Sequence, residues 1–290
     1  MPEGDTIWRT AATLRQAILG QRVTAFRSSV RQVSDAAQTL TVVGSVVDRI
    51  ETRGKHLLMQ FSCGATLRTH MQMTGSWHVY RPGSPWKKPA GLSVAVIETP
   101  RAVAVCFSAP IVELCDTARL SSLRGLRHLG PDILDPSFDL EQVLARLRLR
   151  GDKEIAVALL DQSALAGIGN VYKNEVLFLC GVSPFTRTGS IDSATLKRIV
   201  ETAVRLMRRN LTTGIRTTTS SGSPRPLWVY GAHGRPCPRC GSTIQRQTQG
   251  IQARMTYWCP TCQPVSPGTE GVSPVPVEQH EEAAAGNLTS

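Results

Sequence analysis

The chain has 290 residues, a formal charge of +11 at pH 7 and a sequence pI of about 9.7. That length accommodates two modest domains and an attachment, and the basic excess points to a polyanionic partner, nucleic acid being the commonest. No apolar run approaches the ~18 residues of a membrane span and no signal-peptide pattern stands at the start, so membrane and secreted classes are set aside and a soluble cytoplasmic protein is expected.

The chain opens MPEGDT. A methionine followed by proline is normally trimmed, so Pro2 is expected to carry a free secondary amine with Glu3 beside it. DTIWRTAATLRQAILG repeats Ile7, Ala11, Leu14 and Ile18 at helical spacing, with Asp5 or Thr6 as a cap and Gly20 as the stop. TLTVVGSVVDRI and KHLLMQFSCGATLRTHMQM carry β-branched and alternating residues with Cys63-Gly64 as a turn; LSVAVIETPRAVAVCFS reads as a hairpin turning at Thr99-Pro100. Residues 1–124 are therefore expected to form a helix and then roughly eight antiparallel strands packed as a sandwich.

After a linker at 125–137, containing LGPDILDP, the pattern turns helical. FDLEQVLARLRLRG, KEIAVALLDQ, NVYKNEVLFLCG and DSATLKRIVETAVRLMRRNL all show helical period, within a domain expected at 138–229. TTGIRTTTSSGSPRP reads as a mobile loop. The paired cysteines occupy a unit at 230–263. Residues 264–290 hold four Glu and no Lys or Arg, and read as a disordered acidic tail.

CPRC and CPTC, separated by 18 residues, place Cys237, Cys240, Cys259 and Cys262 in two Cys-x-x-Cys knuckles. Such a pair matches one tetrahedral zinc ion held by four thiolates, which leaves no open position, so the metal is structural. Between the knuckles a hairpin carries Arg246 and Arg254, a basic finger suited to phosphates or a groove. Cys63, Cys106, Cys115 and Cys180 are scattered among apolar residues and read as reduced core thiols. LAGIGNVYKNE sets glycines before Asn170 at the start of a helix, which reads equally as a phosphate cradle or as a tight turn between packed helices. Its position suggests a helix–two-turn–helix unit. Taken alone, Lys55 and His70 read as a solvated lysine and a structural histidine, and Met73 as a core methionine. The fold class is thus α+β multidomain: an N-terminal β-sandwich with a flanking helix, a helix–two-turn–helix domain and a C-terminal zinc β-ribbon.

PEG, ETRGKHLL, LGPDILDP, LLDQSALAGIGN, GRPCPRCGS and YWCPTCQ, in that order, resemble the formamidopyrimidine-DNA glycosylase and endonuclease VIII family of base-excision repair enzymes, over roughly residues 2–263. The resemblance implies Pro2 as the nucleophile at C1′ of the damaged nucleotide and Glu3 as the acid that opens the sugar ring. It implies Lys55 as a phosphate-binding lysine that assists proton transfer, and Arg254 as the finger arginine gripping the flanking phosphates. Asn170 is the matching phosphate ligand, and Gln72, Met73 and Thr74 match the loop that plugs the vacated stack. Arg127, one residue out of register, is a candidate DNA contact. The implied partner is DNA carrying oxidised bases or abasic sites, the state a monomer, and the location the cytoplasm, on the nucleoid in a bacterium. The tail is a candidate contact for a repair or replication partner.

The purine-directed branch also uses an arginine and a phenylalanine from a loop that reads here DTARLS, with Ala118 and Leu120 at those places. PEG likewise resembles the endonuclease VIII branch, which implies oxidised pyrimidines as substrates. A second carboxylate common in the family is replaced by Thr6, with Asp5 beside it, and Ala232 stands where an arginine is frequent. Two other readings stay open: a zinc-ribbon binder of damaged or single-stranded DNA without chemistry, and a lyase acting mainly on abasic sites.

Overall fold

The computed structural model describes residues 2–264 apart from 124, 213, 221 and 222. The acidic tail expected beyond Pro264 lies outside the described residues. No helix among them is long and apolar enough to cross a membrane.

Ile7, Ala11, Leu14 and Ile18 form the buried stripe of α1 (Gly4–Ile18), and Gly20 turns the chain out of it in the left-handed region, φ 73°. Eight strands follow: β1 (Ala25–Ser28), β2 (Val47–Arg53), β3 (His56–Phe61), β4 (Ala65–His70), β5 (Ser76–Tyr80), β6 (Ser93–Glu98), β7 (Val103–Phe107) and β8 (Ile111–Asp116). They pair antiparallel in two four-stranded sheets, β1-β6-β7-β5 and β2-β3-β4-β8. Residues such as Val47, Leu57, Leu67, Ala95 and Ile97 meet α1 in one core. The Cys63-Gly64 turn joins β3 to β4, and Glu98 sits opposite Val103 across the Thr99-Pro100 turn, as the pattern predicts. Of the scattered cysteines only Cys106 is fully buried, and burial pushes its thiol up to about 12.

Two details of the N-terminal body depart from the sequence reading: the N-cap position of α1 falls on Glu3, not on Asp5 or Thr6, and a helix stands where strand was expected. The chain between β1 and β2 forms α2 (Arg31–Thr39), so the first part of TLTVVGSVVDRI is helix end and turn rather than strand. Val33 and Ala37 bury one face of this helix. The β-branched residues after it favour strand locally, but tertiary packing overrides that preference.

The second body contains α3 (Leu140–Arg148), α4 (Ile155–Ala158), α5 (Asn170–Cys180) and α6 (Ser193–Arg209). Asp139 and Asp192 cap α3 and α6 by accepting from the Gln142 and Thr195 amides at 3.1 and 2.8 Å. KEIAVALLDQ yields only the single turn of α4. Asp161 accepts from both the amide and the hydroxyl of Ser163, a local turn that competes with helix continuation. α5 is buried all round, polar residues included, from Asn170 through Phe178. The finger hairpin, β9 (Gln245–Gln249) and β10 (Arg254–Trp258), packs with Val229, Ile244 and Cys259 against Phe178 of that helix.

The stretch read as a mobile loop is tied down where it is described. Thr217 donates its amide to Asn210 Oδ1 at 2.8 Å, and Thr218 donates its hydroxyl to Glu175 on α5. Glu175 also accepts from the amides of Trp228, Val229 and Tyr230 at 2.7–2.9 Å. Burial pushes its carboxyl up and these hydrogen bonds oppose the rise. Glu175→Ala should cost about 3–5 kcal/mol, the range for stripping the partner from buried polar groups. Urea melts check this; a loss under about 1 kcal/mol would mean that water replaces the carboxylate.

Candidate active site

The first residues of the chain are held by the loop that precedes α5. Gly4 donates its amide to the Gly167 carbonyl at 2.9 Å. The Glu3 carboxylate, fully buried, accepts from the Gly169 and Val171 amides at 2.7 Å each, occupying the N-terminus of α5. Free helix amides and the helix dipole both favour an anion there. Gly169 is required by this approach, since a Cβ would stand 2.5 Å from Glu3 Cδ. The glycine-rich motif therefore cradles an internal carboxylate on these two amides, not a phosphate.

Lys55 projects from the β2–β3 turn, where Gly54 has φ 58° and donates its amide to Asp132 Oδ2 at 2.6 Å. Asp132, from LGPD, thus bolts the turn to the start of the helical body. Burial lowers the Lys55 ammonium to about 8; Glu3 opposes the fall, while Arg254 and Arg216 add to it. Such a lysine is part charged and part neutral near physiological pH, suited both to phosphate and to taking a proton.

Arg254 starts β10, and three side chains of α5 set that strand in place. Asn170 Nδ2 donates to the Met255 carbonyl at 2.8 Å, Lys173 Nζ to Thr256 Oγ1 at 2.7 Å, and the Tyr257 amide donates to Asn174 Oδ1 at 2.8 Å. Residues spaced three and four apart share a helix face, so one face of α5 reads successive residues of β10.

Pro2, Lys55, His70, Gln72, Met73, Gly169, Asn170, Gln252 and Arg254 line one cavity of about 340 Å³. A second cavity of about 590 Å³ shares Leu160, Gln162, Gln252 and Arg254 with it and runs on past Lys153 and His128. Pro2, Lys55, Asn170, Gln72, Met73 and Arg254 are thereby brought together. Thr74 is not among the lining groups and donates to the Ser108 carbonyl at 2.9 Å. Arg127 is exposed on the turn before Gly130 and lines neither cavity. Gln72 has φ 44°, a strained value for a non-glycine residue, and Met73 is 57% exposed. Ala118 is exposed, whereas Leu120 is packed inward with Leu58 and Leu126.

His70, read from the sequence as a structural histidine, lies tilted against His56 with ring centres 4.5 Å apart; burial first, then neighbouring charges, lower the two rings to about 4 and about 3. The Gln72 amide donates to His70 Nδ1 at 3.3 Å, which leaves the ring's N–H on Nε2. Lys173 is buried and lowered to about 7, chiefly by burial. Tyr230 is raised, first by burial and then by Tyr257 and Glu3. Arg216 lies against Asp5 and Glu3. Lys173, Tyr230 and Arg216 were not singled out from the sequence, and no local pattern marks them.

The Sγ atoms of Cys237, Cys240, Cys259 and Cys262 lie within 4.8 Å of one another, with pairs at 3.9 and 3.4 Å. Tetrahedral zinc with ~2.3 Å bonds to sulfur needs separations of about 3.8 Å, so the four thiolates fit one ion.

Family models for the formamidopyrimidine-DNA glycosylase N-terminal domain, the formamidopyrimidine-DNA glycosylase H2TH domain and a zinc finger found in FPG and IleRS match residues 1–109, 129–221 and 234–265. The chain is 40% identical over 281 residues to a probable endonuclease 8 of Streptomyces coelicolor, covering 94% of this chain and 99% of that protein. It is 38% identical over 267 residues to a DNA-(apurinic or apyrimidinic site) lyase of Mycolicibacterium smegmatis, covering 92% and 100%. Its fold matches Lactococcus lactis formamidopyrimidine DNA glycosylase, solved with DNA containing an abasic site, at a TM-score of 0.76 and 24% identity, over 91% of this chain and 100% of that one. The class is thus a three-part DNA-repair glycosylase and abasic-site lyase with a structural zinc finger. The chain belongs to the formamidopyrimidine-DNA glycosylase and endonuclease 8 family, on its endonuclease 8 branch.

Removing the zinc should free the hairpin while the sandwich stays folded. Affinity for abasic-site DNA should fall at least about tenfold, Arg254 losing its rigid mount. Fluorescence anisotropy with zinc-stripped protein measures it, and unchanged affinity would detach the finger from DNA binding. Lys173 yields a pH test. A lysine at about 7 when folded and 10.5 when unfolded makes the unfolded state bind more protons across that interval, so stability rises with pH there. From pH 7 to 9 the unmodified chain should gain about 1–2 kcal/mol relative to Lys173→Met. Parallel stability curves for the two proteins would contradict a cationic cost at this site.

Proposed function

We propose that the chain, with its first methionine removed, excises oxidised bases from DNA through the Pro2 amine and then cleaves the abasic product. The observation that carries this reading is the convergence of Pro2, Lys55 and Arg254 on one cavity with Glu3 buried behind it. The Pro2 nitrogen attacks C1′ as the glycosidic bond breaks, and the departing base takes the amine proton. Glu3 gives a proton to the ring oxygen, the C1′–O4′ bond opens, and the nitrogen lone pair closes an iminium. Loss of a C2′ proton, with Lys55 assisting, sends electrons into that sink and expels the 3′ phosphate; a second elimination expels the 5′ phosphate. Arg254 and Asn170 hold the flanking phosphates, and Gln72 and Met73 fill the gap left by the extruded nucleotide.

We propose oxidised pyrimidines as the preferred bases. Leu120, packed inward, offers no aromatic wedge, and Ala118 offers no arginine, so the purine-directed device is missing from this loop. A lyase working mainly on preformed abasic sites is the second reading, favoured by the Mycolicibacterium smegmatis relative of that name. On either reading binding is phosphate-led and falls by orders of magnitude from low to moderate salt. We further propose that the protein acts as a monomer in the cytoplasm, with units at 1–124, 138–229 and 230–263.

Borohydride trapping tests the intermediate. On labelled duplexes carrying thymine glycol, 8-oxoguanine or an abasic site, the unmodified chain should cross-link to the thymine-glycol and abasic strands, and Pro2→Gly to none. Glu3→Gln should keep DNA affinity and lose about 10²-fold or more in base removal. Arg254→Ala should weaken binding and cleavage together. Absence of any cross-link in zinc-loaded, methionine-free protein would leave a DNA binder without the chemistry, and trapping on the abasic strand alone would favour the second reading.

A further inference from the structure

The first turn of α1 carries one buried carboxylate, Asp5, with Thr6 beside it. Asp5 is fully buried and held in two places by Arg216: Nε donates to Oδ2 at 2.9 Å and Nη2 to Oδ1 at 2.6 Å. Nη2 also donates to Thr6 Oγ1 at 2.9 Å, and Nη1 lies 3.7 Å from Glu3 Oε1. The guanidinium sits 5.0 Å from the centre of the Tyr172 ring, and the Tyr172 hydroxyl donates to Asp5 Oδ2 at 3.2 Å. One cation from the stretch between α6 and the finger thus serves two buried carboxylates at the head of the chain.

We propose that Arg216 is a positioning residue of the active site, which by clamping Asp5 beside Glu3 fixes the orientation and charge balance of the Glu3 carboxyl during base removal. This rests on the reading of Glu3 as the acid. The charged and titratable groups facing Glu3 are Asp5 on α1, with Arg9 beyond it 3.7 Å from Asp5, then Lys55 on the β2–β3 turn and Tyr172 and Lys173 on α5. Tyr230 also faces Glu3, and Arg254 lies beyond, close to both lysines. The two lysines are lowered by burial, to about 8 and about 7, and cannot guarantee a full charge near neutrality. For Arg216, burial works against the charge, but the hydrogen bonds to Asp5 and the fields of Glu3 and Asp5 outweigh it, so the guanidinium stays cationic. Without it, two carboxylates would share a buried space with partners that titrate.

The two activities should respond differently. Opening the sugar ring after base loss needs the Glu3 proton, whereas a preformed abasic site is a hemiacetal that opens to its aldehyde in solution without that proton, and the aldehyde condenses with the amine by losing water. Arg216→Gln should therefore lower base removal roughly tenfold or more, while cleavage of a preformed abasic site changes by less than about threefold. The loss should fall on kcat for base removal, with KM for the lesion duplex changed by less than about threefold, because Arg216 is not among the groups lining the cavity. Arg216→Lys, which keeps the charge, should recover part of that loss. The Asp5→Asn/Arg216→Gln pair should melt higher than Arg216→Gln alone, because no unpaired Asp5 remains. Arg216→Gln with unchanged base removal, or with an equal loss in both activities, overturns the proposal. Glu3→Gln assayed alongside separates the two levels. An inactive Glu3→Gln beside an Arg216→Gln protein with normal base removal sinks this inference alone, whereas normal base removal by Glu3→Gln sinks the underlying reading with it.

Discussion

The Glu3 carboxylate on the amide end of α5 is the contact on which the rest of the site depends. It joins the second residue after the initiator to a helix more than 160 positions away in the chain, through the 2.7 Å bonds to Gly169 and Val171. A buried carboxylate is costly unless donors surround it, and a helix N-terminus supplies donors together with a favourable dipole. The pairing satisfies both parties. It also fixes where Pro2 stands, because the backbone at Gly4 is bonded to Gly167 in the same stroke. Because these amides are engaged internally they are not open to a phosphate, and Lys55, Asn170 and Arg254 are polar groups that reach the cavity.

α5 extends that constraint to the finger. Its first residues hold the head of the chain, its Asn170, Lys173 and Asn174 face β10, and Glu175 gathers the amides of residues 228–230. Lys173 continues the linkage through Thr256 and Gln249 to Glu154 in steps of 2.7 Å, so the hairpin is bonded to the helical body along its length. Buried polar chains of this kind are strong when complete and expensive when broken. The zinc ion and the helix therefore divide the work. The metal holds the knuckles and base of the hairpin, and the helix orients the strand that begins at Arg254.

What could be read from the residues alone follows from how far each signal reaches. α1, the β3–β4 and β6–β7 hairpins, α6 and the two cysteine knuckles were legible because their periodicity, turns and ligand spacing are local. α2 was missed because β-branched residues flank it and its burial comes from partners distant in sequence. KEIAVALLDQ looked helical throughout, but a side-chain turn at Asp161 ends α4 early. The polar residues of NVYKNE gave no sign of facing inward, since their partners, Glu3 excepted as a motif neighbour of Pro2, lie in the finger and its approach. Arg216 was hidden most completely. It sits in a threonine-rich stretch with the composition of a loop, and only the folded chain reveals that it lies against α1.

A carboxylate at residue 5 of α1 is not interchangeable with one at residue 6. Successive residues on a helix are rotated by about 100°, so Asp5 and Thr6 point in different directions from the same turn. A buried carboxylate at residue 5 needs a counter-charge there or it stays in the interior unpaired. Arg216 meets that need and also bonds to Thr6, so both positions converge on one guanidinium. Its planar fork suits the task, because Nε and Nη2 take both Asp5 oxygens while Nη1 remains turned toward Glu3. A lysine would offer the charge without that division. Asp5, Thr6 and an arginine some two hundred residues later in the chain are therefore bonded as one cluster, and a change at any of them alters the partners of the others.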